Sequence, residues 1–93
     1  MPFVMNEEQI KNFVEPEQIL EDIMNGSKKA KYPLWVDDYL VVQPHKRKGT
    51  IEFNTQDGYG HYIHGDECAY TDNIEIISNT MRSVIQKTWE DKE

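Results

Sequence analysis

The chain has 93 residues, of which 38% are hydrophobic and 11% aromatic, and its formal net charge at pH 7 is −7. This length suits one domain spanning residues 1–93, and the aromatic content is too high for an intrinsically disordered chain. The sequence contains no apolar run near the ~20 residues that a membrane-spanning helix needs, so no membrane association is predicted.

A cytoplasmic location is predicted from the N-terminus and the cysteine content. The first eight residues have neither a basic region nor a long apolar stretch, so they do not resemble a signal peptide. Cys68 is the single cysteine, so it has no partner for an internal disulfide. This is typical of a protein in a reducing compartment, or of one that is indifferent to redox conditions.

The charges are segregated along the chain. Residues 1–25 carry six acidic residues and one lysine, whereas residues 26–50 carry six basic and two acidic residues. Residues 51–75 carry six acidic residues and neither Lys nor Arg. A protein of this overall sign is repelled by nucleic acid, so no direct nucleic-acid binding is predicted.

Two short helices are predicted in the N-terminal part. Asn6 and Gln9 have the spacing of a capping box, which predicts a helix over residues 7–14. Pro16 suits the first position of a second helix, and Gly26 suits its end. The apolar residues between them have the spacing of one buried helix face: Ile19, Leu20, Ile23 and Met24.

The middle of the chain predicts an antiparallel meander of three or four strands. Residues 28–33 are interpreted as a connector and residues 34–36 as a short strand. Residues 39–42 form a β-branched run typical of a central strand, and residues 44–49 are interpreted as a loop. Strands are then predicted over 50–54 and 59–64, joined by a hairpin turn at Asp57-Gly58.

The C-terminal part predicts one long helix that begins near a capping box of Asp72 and Glu75. Its apolar stripe runs through Ile74, Ile77, Met81, Val84, Ile85 and Trp89. A strand at 73–78 followed by a shorter helix is the alternative, because Ile76 falls off the stripe. The predicted fold is therefore α+β: two N-terminal helices, a meander, and a C-terminal helix packed on the sheet. Self-association through 74–89 is a further possibility.

His61, His64 and Cys68 form the strongest candidate for metal binding or nucleophilic chemistry. Imidazole and thiolate are ligands that zinc prefers. Their spacing, however, matches no structural zinc pattern, and residues three apart on a strand point to opposite faces. The sequence also contains no serine nucleophile elbow, P-loop or dinucleotide-binding motif. No enzyme activity, cofactor or metal is therefore predicted.

The acidic segments carry the leading functional hypothesis, a small binding protein that modulates or inhibits a protein partner with a basic surface. Rows of carboxylates can imitate duplex phosphates, which are spaced one charge per ~1.7 Å, and such rows are attracted to nucleic-acid-handling or defence enzymes. Small viral inhibitors of host defence are similar in size and charge. Trp35 and Tyr39 are the predicted aromatic anchors. The predicted acidic contact residues are Glu7, Glu8, Glu17, Glu21 and Asp22.

A small-ligand binder is the alternative hypothesis. Lysine and arginine bind phosphate groups, and aromatic faces stack on rings. The basic loop 45–48 and nearby tyrosines therefore suit a nucleotide or another phosphorylated metabolite. The residues proposed for this role are Lys46, Arg47, Lys48, Tyr59 and Tyr62.

Overall fold

The structure, a computed structural model, describes residues 14–92. Within this range the chain forms an α+β fold, as predicted. The elements in chain order are helix α1 (Pro16–Met24), strands β1 (Ala30–Pro33), β2 (Tyr39–His45), β3 (Thr50–Gln56) and β4 (Tyr62–Ala69), and helix α2 (Ile74–Lys92). The helix predicted over 7–14 lies outside the described residues except for Val14, which is not helical.

Helix α1 forms as its sequence predicts. Pro16 occupies the first turn, where its missing N–H costs no hydrogen bond. Ile19 and Ile23, one turn apart, are 0% and 5% exposed. Gly26 has a φ of +89°, and Ser27 N–H donates to the Asp22 carbonyl at 3.0 Å. This left-handed glycine lets the chain turn sharply away from the helix.

The four strands form one antiparallel sheet in the order β1-β2-β3-β4, which confirms the predicted meander. The boundaries of the first strand were predicted wrongly. Ala30–Pro33 is a strand paired with Tyr39–Val42, although it was interpreted as a connector. Residues 34–36, predicted as a strand, belong to a turn in which Leu34 N–H donates to the Asp38 carbonyl at 3.0 Å. Leu34 is buried and therefore fixes this turn to the core.

β3 ends later than predicted, and β4 begins later than predicted. Asp57 Oδ1 accepts hydrogen bonds from the backbone N–H groups of Tyr59 and His61, both at 2.9 Å. The turn consequently occupies five residues, and β4 begins at Tyr62 instead of Tyr59. A β-bulge between Thr55 and Gln56 shifts the register of β3 and β4 once more.

Both helices pack on one face of the sheet, here called the inner face. The core between sheet and helices is apolar, and its largest fully buried residues include Ile19, Leu40, Ile51, Phe53, Ile77, Met81 and Ile85. The long C-terminal helix is confirmed and the alternative strand at 73–78 is wrong. Ile76 falls off the stripe because it lies on the solvent side, where it is 39% exposed.

Candidate functional site

The opposite face of the sheet, here called the outer face, carries a row of polar side chains along β3. Gln56 Nε2 donates to Asn54 Oδ1 at 3.0 Å, and Asn54 Nδ2 donates to Glu52 Oε2 at 3.1 Å. His45 Nε2 lies 3.1 Å from Glu52 Oε1. Residues two apart on a strand share a face, so these contacts hold the Glu52 carboxylate in one orientation.

A groove beside this row concentrates negative charge. Its walls are formed by Glu52, Tyr62, Gly65, Asp66 and Glu67, and it is called the acidic groove below. Asp66 lies opposite the buried Phe53, so its side chain points to the other face of β4 and the carboxylates on the groove side are Glu52 and Glu67. In the register of β3 and β4, Glu52 lies directly opposite Glu67. Two like charges in such cross-strand positions destabilise a sheet. The contacts of Asn54 and His45 with the Glu52 carboxylate offset part of this cost.

Tyr62 forms the aromatic wall of the acidic groove. Its ring lies across the backbone of Gly65, where an added Cβ would come within 2.9 Å of two ring carbons and would also clash with the hydroxyl oxygen. Glycine is therefore required at this position for the ring to lie flat on the strand. The side chain is nevertheless 64% exposed, so most of its surface is accessible to a partner.

The turn between β3 and β4 extends the negative surface beyond the sheet. Backbone N–H donation by His61, helped by Tyr59, keeps the pKa of the Asp57 carboxyl below its usual value. Asp57 therefore stays ionised at neutral pH. Tyr59 beside it is 90% exposed, and Asp37 lies across a small cleft from it. No Lys or Arg occurs between residues 49 and 81, so nothing basic in β3, β4 or their turn offsets these charges except histidine.

The structure describes three of the five acidic residues that were predicted to contact a partner. Glu7 and Glu8 lie outside the described residues. Glu17 and Glu21 are exposed one turn apart on α1. Asp22 is half-buried and accepts hydrogen bonds from the Gln18 amide and the Tyr32 hydroxyl. Burial, and then this hydrogen bond to Asp22, raise the pKa of Tyr32, so its hydroxyl stays protonated and keeps donating.

The two predicted aromatic anchors are both half-buried. The rings of Trp35 and Trp89 stack with their centroids 5.5 Å apart, so Trp35 packs against the end of α2. The Lys31 Nζ lies 4.3 Å from the centre of the Tyr39 ring. The large hydrophobic side chains that are exposed among the described residues are instead Met24, Val36, Tyr59, Tyr62, Ile74 and Ile76.

The residues of the predicted small-ligand site do not meet. Lys46, Arg47 and Lys48 are exposed in the turn before β3, whereas Tyr59 and Tyr62 follow the other end of that strand. The seven residues of β3 separate the two groups, a distance of about 20 Å at the usual rise of a strand. One small ligand therefore cannot contact both groups.

His61, His64 and Cys68 have three separate sets of contacts. His61 Nδ1 lies 3.3 Å from Asp57 Oδ2, and His64 Nε2 lies 2.5 Å from Asp91 Oδ2. Burial raises the pKa of the Cys68 thiol, which lowers the thiolate fraction at neutral pH. Within residues 14–92 no group of three His, Cys, Asp or Glu side chains is arranged to hold a metal ion.

The predicted stripe of α2 lies almost entirely in the core. Ile77, Met81, Val84 and Ile85 are each at most 1% exposed, and Trp89 is half-buried against Trp35. Pairing with a second copy through this helix would therefore need its other faces. Neither described helix is long and apolar enough to cross a membrane.

Comparison with known proteins adds no assignment. The chain matches no protein family, no curated protein sequence and no solved structure.

Proposed function

We propose that this chain is a small binding protein that docks through its acidic groove onto a basic surface of a macromolecular partner and modulates that partner. The observation that supports the proposal most strongly is the cross-strand pair of Glu52 and Glu67. Because like charges opposite each other cost stability, their presence is readily explained if a cationic group of a partner lies between them.

Tyr62 supports the same site as an aromatic anchor. Tyrosine is enriched among the residues that dominate binding energy, since it offers a large rigid surface with a polar end. Here the side chain lines the same groove as the facing carboxylates and is mostly exposed. An arginine or lysine of the partner would be attracted both by the carboxylates and by the ring face.

The proposed class of protein is the one predicted from the sequence, but the contact site differs. The groove takes the place of the α1 carboxylates, and Tyr62 takes the place of Trp35 and Tyr39. Enzymes that handle nucleic acid carry basic stripes of the complementary kind, so they are the proposed partner class. On such a partner the groove would occupy positions that normally bind phosphate.

The proposal is tested by capturing partners on the immobilised chain at low salt and then measuring the affinity of the purified partner. We expect Glu67→Lys to weaken binding at least tenfold and the wild-type affinity to fall as salt rises. Glu17→Lys makes the same charge change on α1 and is the matched control. If Glu17→Lys abolishes binding and Glu67→Lys does not, the contact lies on the helix and the groove proposal is wrong.

The anchor is tested separately with uncharged substitutions. Tyr62→Phe keeps the ring and should bind nearly as well as wild type, whereas Tyr62→Ala should lose about tenfold, a loss typical of an interface anchor. Gly65→Ala should also weaken binding, because the new Cβ displaces the ring. Equal affinities of the Phe and Ala variants would show that the ring makes no contact.

A further inference from the structure

The end of the sheet opposite the turn of Asp57 contains a cavity of about 540 Å³. It lies between the C-terminal ends of α1, β2 and β4. Its lining residues are Ile23, Met24, Gly26, Ser27, Lys28, Gln43, Pro44, Lys46 and Tyr70. The volume is within the range of about 300–1,000 Å³ that is usual for small-molecule sites.

The cavity brings together one lysine from each of the two basic segments of the sequence. Lys28 follows α1 and Lys46 follows β2, and pairing of Ala30 with Val42 brings these two chain segments alongside each other. The lining includes no Asp or Glu. Among the described residues, no carboxylate oxygen lies within 4.0 Å of either lysine amine. Within residues 14–92, neither amine is therefore neutralised by a carboxylate.

Backbone hydrogen bonds hold the two sides of the cavity in place. Tyr70 N–H donates to the Gly49 carbonyl at 2.8 Å, which ties the turn carrying Lys46 to the end of β4. On the opposite side, Ser27 N–H donates to the Asp22 carbonyl at 3.0 Å. The backbone of both turns is thus fixed, and the exposed side chains of Lys28 and Lys46 extend from it.

The lining combines apolar and polar groups. Ile23, Met24 and Pro44 supply an apolar surface, and Tyr70 supplies an aromatic ring. Ser27 and Gln43 add hydrogen-bonding groups to the lining that contains the two lysines. A ligand that matches this combination carries both a phosphoryl group and a ring.

From this arrangement we infer that the cavity between Lys28 and Lys46 binds a nucleoside mono- or diphosphate. The phosphates accept hydrogen bonds from the two lysine amines. The base and sugar lie against Met24, Pro44 and Tyr70. The site is distinct from the acidic groove, so the chain would bind a nucleotide and its macromolecular partner on different surfaces.

The test is isothermal titration calorimetry of the full chain with ADP, with pyrophosphate and adenosine as separate probes. We expect ADP to bind with one-to-one stoichiometry, and each of the two other probes to bind at least tenfold more weakly. Lys28→Ala and Lys46→Ala should each weaken ADP binding about tenfold, because each removes a charge-assisted hydrogen bond. Lys87→Ala, an exposed lysine on α2, is the matched control and should leave the affinity unchanged.

Three results would overturn the inference. They are no heat of binding with millimolar ADP, wild-type affinity in both lysine variants, and pyrophosphate binding as tight as ADP binding. The last result would show that the apolar lining makes no contact and that the lysines attract any polyanion. Glu67→Lys should retain ADP binding, so failure of the groove proposal and failure of this inference are distinguishable.

Discussion

Two buried threonines connect β3 and α2 through a chain of hydrogen bonds. Thr55 and Thr88 are 0% and 1% exposed, and their hydroxyl oxygens lie 2.5 Å apart. Thr88 donates to the Val84 carbonyl at 2.9 Å, which assigns Thr55 as the donor between the two hydroxyls, since the other acceptor near Thr55, the His64 carbonyl, lies farther away at 3.5 Å. Thr55 in turn accepts from the His64 N–H at 3.3 Å. Each hydroxyl is thus both donor and acceptor in a fully buried site.

Removal of one threonine hydroxyl should therefore cost more than its own hydrogen bonds. We expect Thr88→Val to lower the free energy of unfolding by about 1–3 kcal/mol, because the Thr55 hydroxyl loses its acceptor while it remains buried. The double variant Thr55→Val/Thr88→Val should lose less than the sum of the two single variants. Urea unfolding monitored by circular dichroism measures all three. Strict additivity would show that the hydroxyls do not interact.

Among the elements, α2 shows how precisely the sequence locates the first residue of a helix. Asp72 was predicted as the cap, but the side chain that caps the helix is Asn73. Its Oδ1 accepts from Glu75 N–H at 3.0 Å and from Ile76 N–H at 3.4 Å. Asp and Asn are equally good caps, so two adjacent candidates cannot be separated by residue type.

The cap assignment gives a prediction with an adjacent control. Asn73→Ala should lower the free energy of unfolding by about 1 kcal/mol, since two N–H groups lose their acceptor. Asp72→Ala changes the neighbouring residue and should cost only a few tenths of a kcal/mol through the helix dipole. Thermal unfolding of the two variants measures the difference. The assignment is wrong if Asp72→Ala is the more destabilising of the pair.

Strand boundaries were predicted less well than the helices, for two physical reasons. β1 is an edge strand whose residues include Lys31 and Pro33, so it lacks the apolar run of a central strand. β2 was expected to end before Pro44, yet it continues to His45. Since β1 extends only to the position opposite Val42, Pro44 has a neighbouring strand on one side alone. A missing N–H is tolerated there.

The acidic groove could not be predicted because its key pair depends on register. A two-residue turn at Asp57-Gly58 would place Glu52 opposite Ile63. The observed five-residue turn and the bulge after Thr55 place it opposite Glu67 instead. Each shift by one residue exchanges the two faces of a strand, so small errors at a turn change which side chains meet. Only the excess of acidic residues in 51–75 was evident from the sequence.

At the scale of the whole molecule, the charge is divided between two regions of the same sheet. The outer face of β3 and β4 carries the acidic groove, whereas the strand end near Lys28 and Lys46 carries the cationic cavity. Such a division attracts ligands of opposite sign to different places. The division also lowers the stability of the fold, because the net charge is −7 and the carboxylates of the acidic region repel one another.

This repulsion gives a prediction in which stability and binding change in opposite directions. Glu67→Gln should raise the free energy of unfolding by about 0.5 kcal/mol at low salt, because it removes the charge opposite Glu52. The gain should shrink as salt approaches about 1 M, where the Debye length falls to about 3 Å. Urea unfolding across a salt series measures it.

Glu17→Gln is the control, with an identical charge change on the opposite face of the sheet. Glu17 lies in the first turn of α1, where a negative charge interacts favourably with the helix dipole, so its loss should not stabilise the chain. If Glu67→Gln is also not stabilising, His45 beside Glu52 already compensates the pair. The argument that the pair requires a cationic partner would then fail. A variant that gains stability and loses partner affinity would instead show that the fold retains this repulsion for binding.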